Sequence, residues 1–397
     1  MIKGQSIVCM PLTTWDSNFP NTVVKMMTLL SKENKILFVD YQFTFKDLIS
    51  SWRKPPVKRI LGFDERLQKV TTSIGSEVYV LTPPPVLPVN WIKDYASYKF
   101  FLNLNAGIIK GAIQKAMIEL DIENPIVING YNSFYGLPLA GELNEMLNIY
   151  YCYDEIKGDQ WYSLHGARIE EEYMRKADMV IATSQALYES KCGINENCHV
   201  VKNGVDFAPF NSVADIPKEG TLKVVGYTGS IDERFDIDMV IFLVEQMPYA
   251  RFDFVGRITN EEARRSLEVF PNVRLYGSRK PEEVPMFLPK MDVCIIPYLQ
   301  NEVTKGVYPL KINEYLAAGK PVVMTDFAPL SEFNSIVRIA SSKTDFLKFL
   351  REEIENNTED KKKARIEVAR KNSWENRVEE LSGVIEKFLV AKPVLSA

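Results

Sequence analysis

The sequence predicts an α/β protein of two domains, each built around a parallel sheet. Its 397 residues exceed what one compact core usually organises. Short runs rich in Ile, Val and Tyr alternate with longer segments of helical period, which is the pattern of strand-helix-strand units. The alternation lapses once, over 208–220, where Pro, Ser and Gly interrupt it. We therefore expect domains over 1–205 and 206–372, and a terminal helix over 373–397 that packs back on the N-terminal domain.

Each predicted strand is a short run of β-branched, aliphatic or aromatic residues. In the first domain these runs are 7–10, 36–40, 78–81, 126–129, 149–153, 179–182 and 199–201; in the second they are 222–227, 252–255, 273–276, 293–297, 321–324 and 336–339. The predicted helices are 21–31, 100–120, 137–147, 167–176, 185–190, 237–246, 260–269, 281–288 and 312–318. Residues 343–390 have an almost wholly helical pattern, in which Ser373 suits an N-cap.

Composition excludes several classes of protein. With 46% hydrophobic and 25% charged residues, the chain matches an ordinary soluble globular protein. A net charge of −4 provides no global attraction to nucleic acid, which is not expected as a partner. Five cysteines without a C-x-x-C pair and two histidines leave little material for a metal site, and reduced thiols fit a cytoplasmic protein. The apolar run 7–10 is too short for a signal peptide or a membrane-spanning helix.

The segment 305–323, KGVYPLKINEYLAAGKPVV, is the most informative for chemistry. A loop containing Pro309 leads into a helix whose first turns carry Lys311 and Glu314 on nearly the same face. The helix starts near the carboxyl edge of the preceding strand, where open α/β sheets bind ligands. A helix N-terminus with Lys311 and Lys305 can hold a diphosphate, and the Glu314 carboxylate can accept two ribose hydroxyls. The alternative for Lys311 and Glu314 is an exposed helical ion pair.

Six segments carry a resemblance to a known family. They are VKNGVD at 201–206, GYTGS at 226–230, FVG at 254–256, VRLYG at 273–277, DVCIIP at 292–297 and EYLAAGKPVV at 314–323. In this order and spacing they resemble the retaining glycosyltransferases of family 4, which have the GT-B fold. The resemblance implies two Rossmann-like domains whose parallel sheets face each other across a cleft, with C-terminal helices crossing the junction. The N-terminal domain would bind the acceptor and the C-terminal domain the donor.

The resemblance also implies the reaction. The protein would move a sugar from a nucleoside diphosphate sugar, with UDP as the expected nucleotide, to a hydroxyl of a glycan or lipid-linked acceptor. It would act with retention, in cell-surface polysaccharide assembly. No metal or other cofactor is expected, because Asp236 and Asp238 open a helix where Asp is a favoured cap.

The resemblance assigns residues to three roles. Catalytic residues would be Arg234, Lys311 and Glu314. Donor-binding residues would be Gly229, Ser230, Arg257, Gly277, Ser278, Lys305, Tyr308, Pro309 and Leu310. Acceptor contacts would come from Thr14, Trp15, Tyr131 and Asn132.

Two departures from the family pattern fall on the chemistry. Gly306 stands where the family usually places a second Glu, eight residues before Glu314. Ser230 replaces the usual Arg of the Gly-Arg-Leu loop, and Arg234 matches its following Lys. Lys311 and Lys305 are the expected replacements for the missing cation. The sequence is similar to teichuronic-acid-type transferases, in which Pro-Leu-Lys before the Glu replaces the acidic residue.

Other functions stay open at this stage. A sugar-nucleotide epimerase or hydrolase could use the same scaffold, since fold alone does not determine the reaction. A non-catalytic nucleotide-sugar-binding subunit is the alternative that Gly306 suggests. A dinucleotide-dependent dehydrogenase is less favoured, because no G-x-G-x-x-G follows the first strand of either domain.

The segment 52–69 suggests a membrane partner. It carries six basic side chains against two acidic ones, interleaved with Trp52, Ile60 and Leu61. Such a segment can contact an anionic membrane surface, here the inner membrane, and would make the protein peripheral on its cytoplasmic face. A solvated loop and helix is the alternative.

Overall fold

The computed structural model describes residues 1–16, 21–49, 56–156 and 164–391. The chain divides into two compact units, one of residues 1–202 with 378–397 and the other of residues 203–377. The sequence placed the corresponding boundaries at 205 and 372. The last helix begins at Trp374, so its first turn belongs to the second unit and the rest of it to the first.

Besides most of the last helix, the first unit contains eight strands and seven helices among its described residues. The strands are β1 (Ser6–Cys9), β2 (Lys35–Val39), β3 (Leu67–Thr71), β4 (Glu77–Leu81), β5 (Ile126–Gly130), β6 (Leu147–Cys152), β7 (Met179–Ala182) and β8 (Cys198–Val200). The helices are α1 (Thr22–Leu30), α2 (Phe45–Ile49), α3 (Val57–Leu61), α4 (Tyr95–Glu119), α5 (Ser133–Leu139), α6 (Gly166–Lys176) and α7 (Gln185–Lys191).

The strands of this unit form one sheet in the order β3-β4-β2-β1-β5-β6-β7-β8. All neighbouring strands are parallel except β3 and β4, which pair antiparallel at the edge. The central strands are buried on both faces, because helices cover both sides of a parallel sheet. Their continuous apolar runs are the reason that the sequence revealed them.

The second unit has a six-stranded, wholly parallel sheet. Its strands are β9 (Lys223–Thr228), β10 (Ala250–Val255), β11 (Val273–Gly277), β12 (Val293–Ile296), β13 (Val322–Thr325) and β14 (Arg338–Ala340), in the order β11-β10-β9-β12-β13-β14. Its helices are α8 (Phe207–Asn211), α9 (Ile237–Gln246), α10 (Glu261–Glu268), α11 (Glu302–Lys305), α12 (Leu310–Ala317), α13 (Lys343–Glu355) and α14 (Glu359–Lys371), followed by α15 (Trp374–Ala391). Pro281–Lys290 and Ser331–Phe333 are 3-10 helices.

The structure departs from the sequence predictions of local structure in several places. The helix predicted over 137–147 is α5, which ends at Leu139, because Gly141 and Asn144 adopt positive φ angles that interrupt a helix. Strand β3 was missed because most of its side chains are exposed and carry no apolar pattern. The segment predicted as irregular after residue 206 contains the short helix α8.

The order of the strands indicates where ligands bind. The direction of the chain through the sheet reverses between β1 and β5 in the first unit, and between β9 and β12 in the second. Open α/β sheets bind ligands at such points, beyond the carboxyl ends of the strands. Trp15 follows β1 and Asn132 follows β5, whereas Gly229 follows β9. The predicted residues therefore lie in the loops at both switch points.

Candidate active site

Two glycines allow the loops after β9 and β10 to approach each other. Gly229 and Gly256 both have φ angles of +149°, a region that favours glycine. A Cβ on Gly256 would lie 2.0 Å from the carbonyl oxygen of Gly229. A Cβ on Gly229 would lie 2.8 Å from Cε of Lys311. The side chain of Lys311 therefore lies against the loop after β9, so that two of the predicted donor residues are direct neighbours.

Lys311 is held by two buried tyrosines. Its Nζ donates a hydrogen bond to the hydroxyl of Tyr298 at 2.5 Å and lies 5.0 Å from the centre of that ring and 5.4 Å from the ring of Tyr227. Burial by itself would raise the pKa of Tyr298, but the charges of Lys311 and Arg234 and the hydrogen bond lower it. Tyr298 therefore acts as an acceptor that directs the ammonium group.

Arg234 has a carboxylate partner two residues earlier in the chain. Its Nε and Nη2 donate to the two oxygens of Asp232 at 3.0 and 2.6 Å, and its backbone N–H donates to Oδ1 at 3.1 Å. The hydrogen bond to Asp232 raises the pKa of the guanidinium, which is always charged. The guanidinium carbon also lies 5.6 Å from the ring centre of Tyr298. The two predicted cations thus share contact with one tyrosine.

Backbone hydrogen bonds fix the two loops of the switch point relative to each other. The N–H of Asp236 donates to the carbonyl of Pro297 at 2.8 Å, and the N–H of Leu299 donates to the carbonyl of Arg234 at 2.8 Å. Phe235 and Tyr298 form an antiparallel bridge between these bonds. The positions of Arg234 and Tyr298 are therefore set by main-chain geometry, which limits how far either side chain can move.

Glu314 lies half-buried on α12. Burial raises the pKa of its carboxyl group, and the charge of Lys311 opposes this shift. No residue in the described parts of the chain donates a hydrogen bond to its carboxylate or forms an ion pair with it. The next residue, Tyr315, accepts the N–H of Thr228 at 2.8 Å, which ties α12 to the end of β9. Glu314 therefore offers a fixed acceptor whose hydrogen-bonding capacity is unused.

The start of α12 has the properties of an anion site. Pro309 occupies the N-cap position and makes no side-chain hydrogen bond to the helix. The first N–H groups, including those of Leu310 and Lys311, therefore lack a side-chain cap, and they carry the positive end of the helix dipole. Lys311 belongs to the same first turn and adds a positive charge to this end of the helix.

Two other residues that were predicted to bind the donor, Lys305 and Tyr308, precede α12 in the chain. Lys305 is exposed at the end of α11, and Gly306 caps that helix. The side chain of Tyr308 is buried, where its hydroxyl accepts a hydrogen bond from Asn313 at 3.2 Å and its ring lies 6.0 Å from that of Phe333. Tyr308 therefore packs into the core.

The remaining donor residues lie in a row of hydrogen-bonded loops. The N–H of Ile231 donates to the carbonyl of Arg257 at 2.9 Å, and the N–H of Gly256 donates to the carbonyl of Gly277 at 2.9 Å. Ser230 uses its carbonyl to accept the hydroxyl of Tyr227 at 2.8 Å. The loops after β9, β10 and β11 are thereby joined, with the side chains of Arg257 and Ser278 exposed along them.

Asp236 has the capping role that the sequence suggested. Its carboxylate accepts the N–H of Met239 at 2.9 Å at the start of α9, and Asp238, two residues further along, is exposed. Across residues 1–16, 21–49, 56–156 and 164–391, no group of three or more His, Cys, Asp or Glu side chains is arranged to hold a metal ion.

One predicted acceptor residue, Trp15, contacts a buried carboxylate that sequence reasoning missed. The N–H of Trp15 donates to Oδ1 of Asp40 at 2.8 Å, and the hydroxyl of Thr82 donates to Oδ2 at 3.1 Å. Burial raises the pKa of Asp40 to about 6, while these two hydrogen bonds and the charge of Arg59 oppose the shift. Asp40 directly follows the buried strand β2, and this position in the sequence is the feature that could have identified it as a candidate site residue.

The other acceptor residues surround the same strand ends. Asn132 is buried, donates to the side chain of Gln42 at 2.9 Å and caps α5 by accepting the N–H of Tyr135. Tyr131 has a φ of +59°, and its ring lies 4.9 Å from that of Tyr153. Thr14 is half-buried and precedes Trp15 in the loop after β1.

Only residues 56–69 of the basic segment 52–69 lie within the described ranges, which do not include residues 50–55. In the described part, Arg59 donates to Gln68 at 3.0 Å and Lys69 pairs with Glu77 at 2.7 Å. Arg66 donates to the carbonyl of Arg59 at 3.2 Å. Three of its basic side chains are therefore engaged within the fold. No helix among the described residues is long and apolar enough to span a membrane.

Comparison with known proteins supports a transferase. Residues 222–349 match the family model described as glycosyl transferases group 1. TuaH of Bacillus subtilis, named as a teichuronic acid biosynthesis glycosyltransferase, is 29% identical over 290 residues, which are 60% of this chain and 71% of TuaH.

Two solved structures share the fold. Sucrose-phosphate synthase from Thermosynechococcus elongatus aligns over 98% of this chain and 100% of its own, with a TM-score of 0.67 and 12% identity. HepE of Anabaena, solved in complex with UDP, aligns over 96% of this chain and 100% of its own, with a TM-score of 0.63 and 14% identity. The chain is therefore a glycosyltransferase with the GT-B fold, and its match to the group 1 glycosyl transferases covers residues 222–349.

Proposed function

We propose that the protein transfers a glycosyl group from a UDP-sugar to a hydroxyl of a glycan or lipid-linked acceptor, with retention at the anomeric carbon, in cell-surface polysaccharide assembly. The observation that carries the proposal is the convergence of Lys311, Arg234 and the uncapped start of α12 beside Gly229, with the unpaired carboxylate of Glu314 on the same helix. Two cations and free N–H groups suit a diphosphate, and the carboxylate suits a ribose.

In the proposed reaction, the bond between the anomeric carbon and the diphosphate oxygen breaks, and a bond from that carbon to the acceptor oxygen forms. The acceptor hydroxyl releases its proton to the solvent, and the nucleoside diphosphate leaves with an additional negative charge. Lys311 and Arg234 would stabilise this charge as it develops, which is where preorganised cations contribute most to the rate. Glu314 would hold the ribose and so align the donor.

The choice of UDP and of a polysaccharide pathway comes from relatives. HepE was solved with UDP, and TuaH is named for teichuronic acid biosynthesis. A cytoplasmic location is proposed from the thiols, because all five cysteines are free and four of them are buried. The donor diphosphate would bind without a divalent metal, since two side-chain cations occupy the expected site.

Calorimetric titration of the purified protein with UDP, GDP and ADP, each with EDTA or with Mg²⁺, tests the donor site. We expect metal-independent binding of UDP in the wild type and its loss in Glu314→Gln. Glu268→Gln, which alters an exposed carboxylate on α10, is the matched control and should bind as the wild type does. Failure of all three nucleotides to bind would refute the proposed donor site. NMR of the anomeric proton of the product, once an acceptor is identified, tests retention.

A further inference from the structure

Helix α4 has apolar side chains on two opposite faces. One face carries Leu102, Ile109 and Ile113, which are buried against the sheet of the first unit. A helix on the surface of a globular protein usually has one apolar stripe and one polar face. The second apolar face of α4 therefore requires an explanation other than packing within this unit.

The outward face carries a set of exposed apolar residues, which we call the α4 stripe and which Gly111 and Lys115 interrupt before Ile118. It consists of Phe100, Phe101, Leu104, Ile108 and Ile118, spaced so that they share one side of the helix. Phe100 is 59% exposed, Leu104 47%, Ile108 41% and Ile118 80%. From Phe100 to Ile118 the stripe extends about 27 Å at the rise of an α-helix. An exposed apolar surface of this length differs from the isolated apolar residues that are normal on protein surfaces.

Two further features extend the α4 stripe and keep it flat. Leu87, 40% exposed, is fixed beside the helix because its N–H and carbonyl both bond the side-chain amide of Asn105 at 2.9 Å. Gly107 and Gly111 lie on the outward side of α4, where an added Cβ would meet nothing within 4 Å. No side chain therefore projects from the outward side of α4 at residues 107 and 111.

A cationic groove runs along one edge of the α4 stripe. It has a volume of about 630 Å³ and is lined by residues of α4, α5 and α6 and the loop after α5. Its charged lining residues are Lys99, Lys110, Arg175, Lys176, Glu142 and Glu172. Lys99 pairs with Glu172, and Lys110 with Glu142, while Arg175 pairs with Glu171 outside the groove at 2.6 Å. Of the four lining cations, Lys176 alone has no ion pair among the described residues, so the groove carries a surplus of one positive charge, and Lys115 adds an exposed cation on the stripe itself.

We propose that the α4 stripe and this groove dock the protein on the surface of a membrane containing anionic lipids. The apolar side chains would enter the boundary between headgroups and acyl chains, and the lysines and arginine would contact lipid phosphates. The charge argues for lipid and against a second copy of the chain. A symmetric dimer through this face would bring two surplus-positive grooves together, whereas lipid phosphates complement them.

This inference deepens the membrane-linked acceptor of the proposed function, but its test needs neither donor nor acceptor. If the protein binds no nucleotide, the proposed donor site is refuted, but the docking proposal is not. If the protein binds no vesicles, the docking proposal is refuted, but the donor site is not. The α4 stripe is separate in the chain from the 52–69 segment that the sequence suggested.

Co-sedimentation of the full chain with vesicles tests the proposal. Vesicles of phosphatidylcholine alone are compared with vesicles that contain about 30 mol % phosphatidylglycerol, at low and high salt. We expect binding to the anionic vesicles that weakens as salt rises. The triple variant Phe100→Ser/Leu104→Ser/Ile108→Ser should lower partitioning about tenfold or more. Its matched control, Leu222→Ser/Val269→Ser/Met286→Ser, removes exposed apolar residues of the second unit and should bind as the wild type.

A charge variant separates the two contributions. Lys115→Glu/Lys176→Glu keeps the apolar residues and should lose the preference for anionic vesicles. Circular dichroism and thermal melts verify that each variant is folded. The proposal is overturned if the wild type does not bind anionic vesicles, or if the serine variant binds them as well as the wild type. Concentration-dependent dimers in analytical ultracentrifugation, abolished by the serine variant and without vesicle binding, would assign the face to a second copy instead.

Discussion

The ammonium nitrogen of Lys311 lies 2.5 Å from the hydroxyl oxygen of Tyr298, and the guanidinium of Arg234 lies over the same ring. One buried tyrosine thus orients both cations of the proposed diphosphate site. Asp232 completes the group by pairing with Arg234. In the ligand-free protein each cation has a partner that an incoming diphosphate would have to share or displace.

Replacement of Lys311 by Met should weaken binding of UDP and lower kcat. The change removes the cation beside Gly229 while keeping a chain of similar length. Loss of one preorganised electrostatic contact in a transition state typically costs about 100- to 1000-fold in kcat. Titration calorimetry and steady-state kinetics measure the two effects. Lys363→Met, at an exposed position on α14, is the control. A Lys311→Met enzyme with unchanged kcat would exclude the assigned role.

Replacement of Tyr298 by Phe should separate orientation from packing. The ring and its contact with both cations stay, but the acceptor for Lys311 is lost. We expect a decrease in kcat of about tenfold, with a smaller change in KM, because a misdirected ammonium group affects the transition state most. Steady-state kinetics measure the split, and thermal melts verify folding. If Tyr298→Phe lowers the melting temperature and leaves kcat of the folded enzyme unchanged, the hydroxyl has only a packing role.

Replacement of Asp232 by Asn should strengthen binding of the nucleoside diphosphate. The carboxylate now neutralises Arg234 through two hydrogen bonds, and its removal leaves the cation free to pair with phosphate. We expect the Kd for UDP to fall about threefold to tenfold at low salt, with less effect at high salt. Glu233→Gln changes the exposed neighbouring acid and serves as the control. Weaker binding in Asp232→Asn would mean that the carboxylate mainly positions Arg234.

Replacement of Gly256 by Ala should destabilise the second unit. The added Cβ would lie 2.0 Å from the carbonyl oxygen of Gly229, and the φ of +149° is unfavourable for alanine. We expect a loss of about 2–4 kcal/mol in the free energy of unfolding, together with weaker UDP binding. Urea denaturation and calorimetry measure these changes. Gly193→Ala, where a Cβ would meet nothing within 4 Å, should change neither quantity appreciably.

Asp40 should make the stability of the first unit depend on pH. Burial raises its pKa from 3.8 in the unfolded chain to about 6 in the fold, although hydrogen bonds from Trp15 and Thr82 and the charge of Arg59 oppose the shift. Between about pH 4 and pH 6, the folded protein therefore holds a proton that the unfolded chain has released. This stabilisation is complete below about pH 4 and is lost as the pH rises through 6.

The size of this pH effect follows from the shift. The free energy of unfolding should fall by about 3 kcal/mol between about pH 4 and pH 7 through Asp40 alone. Urea denaturation across this range should give a smaller decrease for Asp40→Asn than for the wild type. Asp64→Asn, an exposed acid of the same unit, should retain the decrease of the wild type. Identical pH dependence in wild type and Asp40→Asn would contradict the assignment.

Short apolar runs in the sequence located most strands of both sheets, because strands buried on two faces are continuous apolar runs. Helical periodicity located most of the longer helices. The same reasoning missed β3, whose exposed side chains leave no such run, and extended the helix at 137–147 past Leu139. It also selected Gly229 from a loop that follows a strand, and Lys311 and Glu314 from the first turns of the helix that became α12. Asp232, Tyr298 and Asp40 were not selected, because their roles depend on contacts with residues that lie in other segments.

The sequence by itself determined the fold class, the family resemblance and the segments from which the donor site is built, since these depend on local pattern and order along the chain. Only the tertiary structure decided which side chains meet. The strand order places the loop after β9 beside the loop after β12, and two glycines allow the backbone approach that brings Lys311 against Gly229. Burial and hydrogen bonding, which arise only in the folded chain, then leave the carboxylate of Glu314 without a partner and turn the outer face of α4 into an apolar surface.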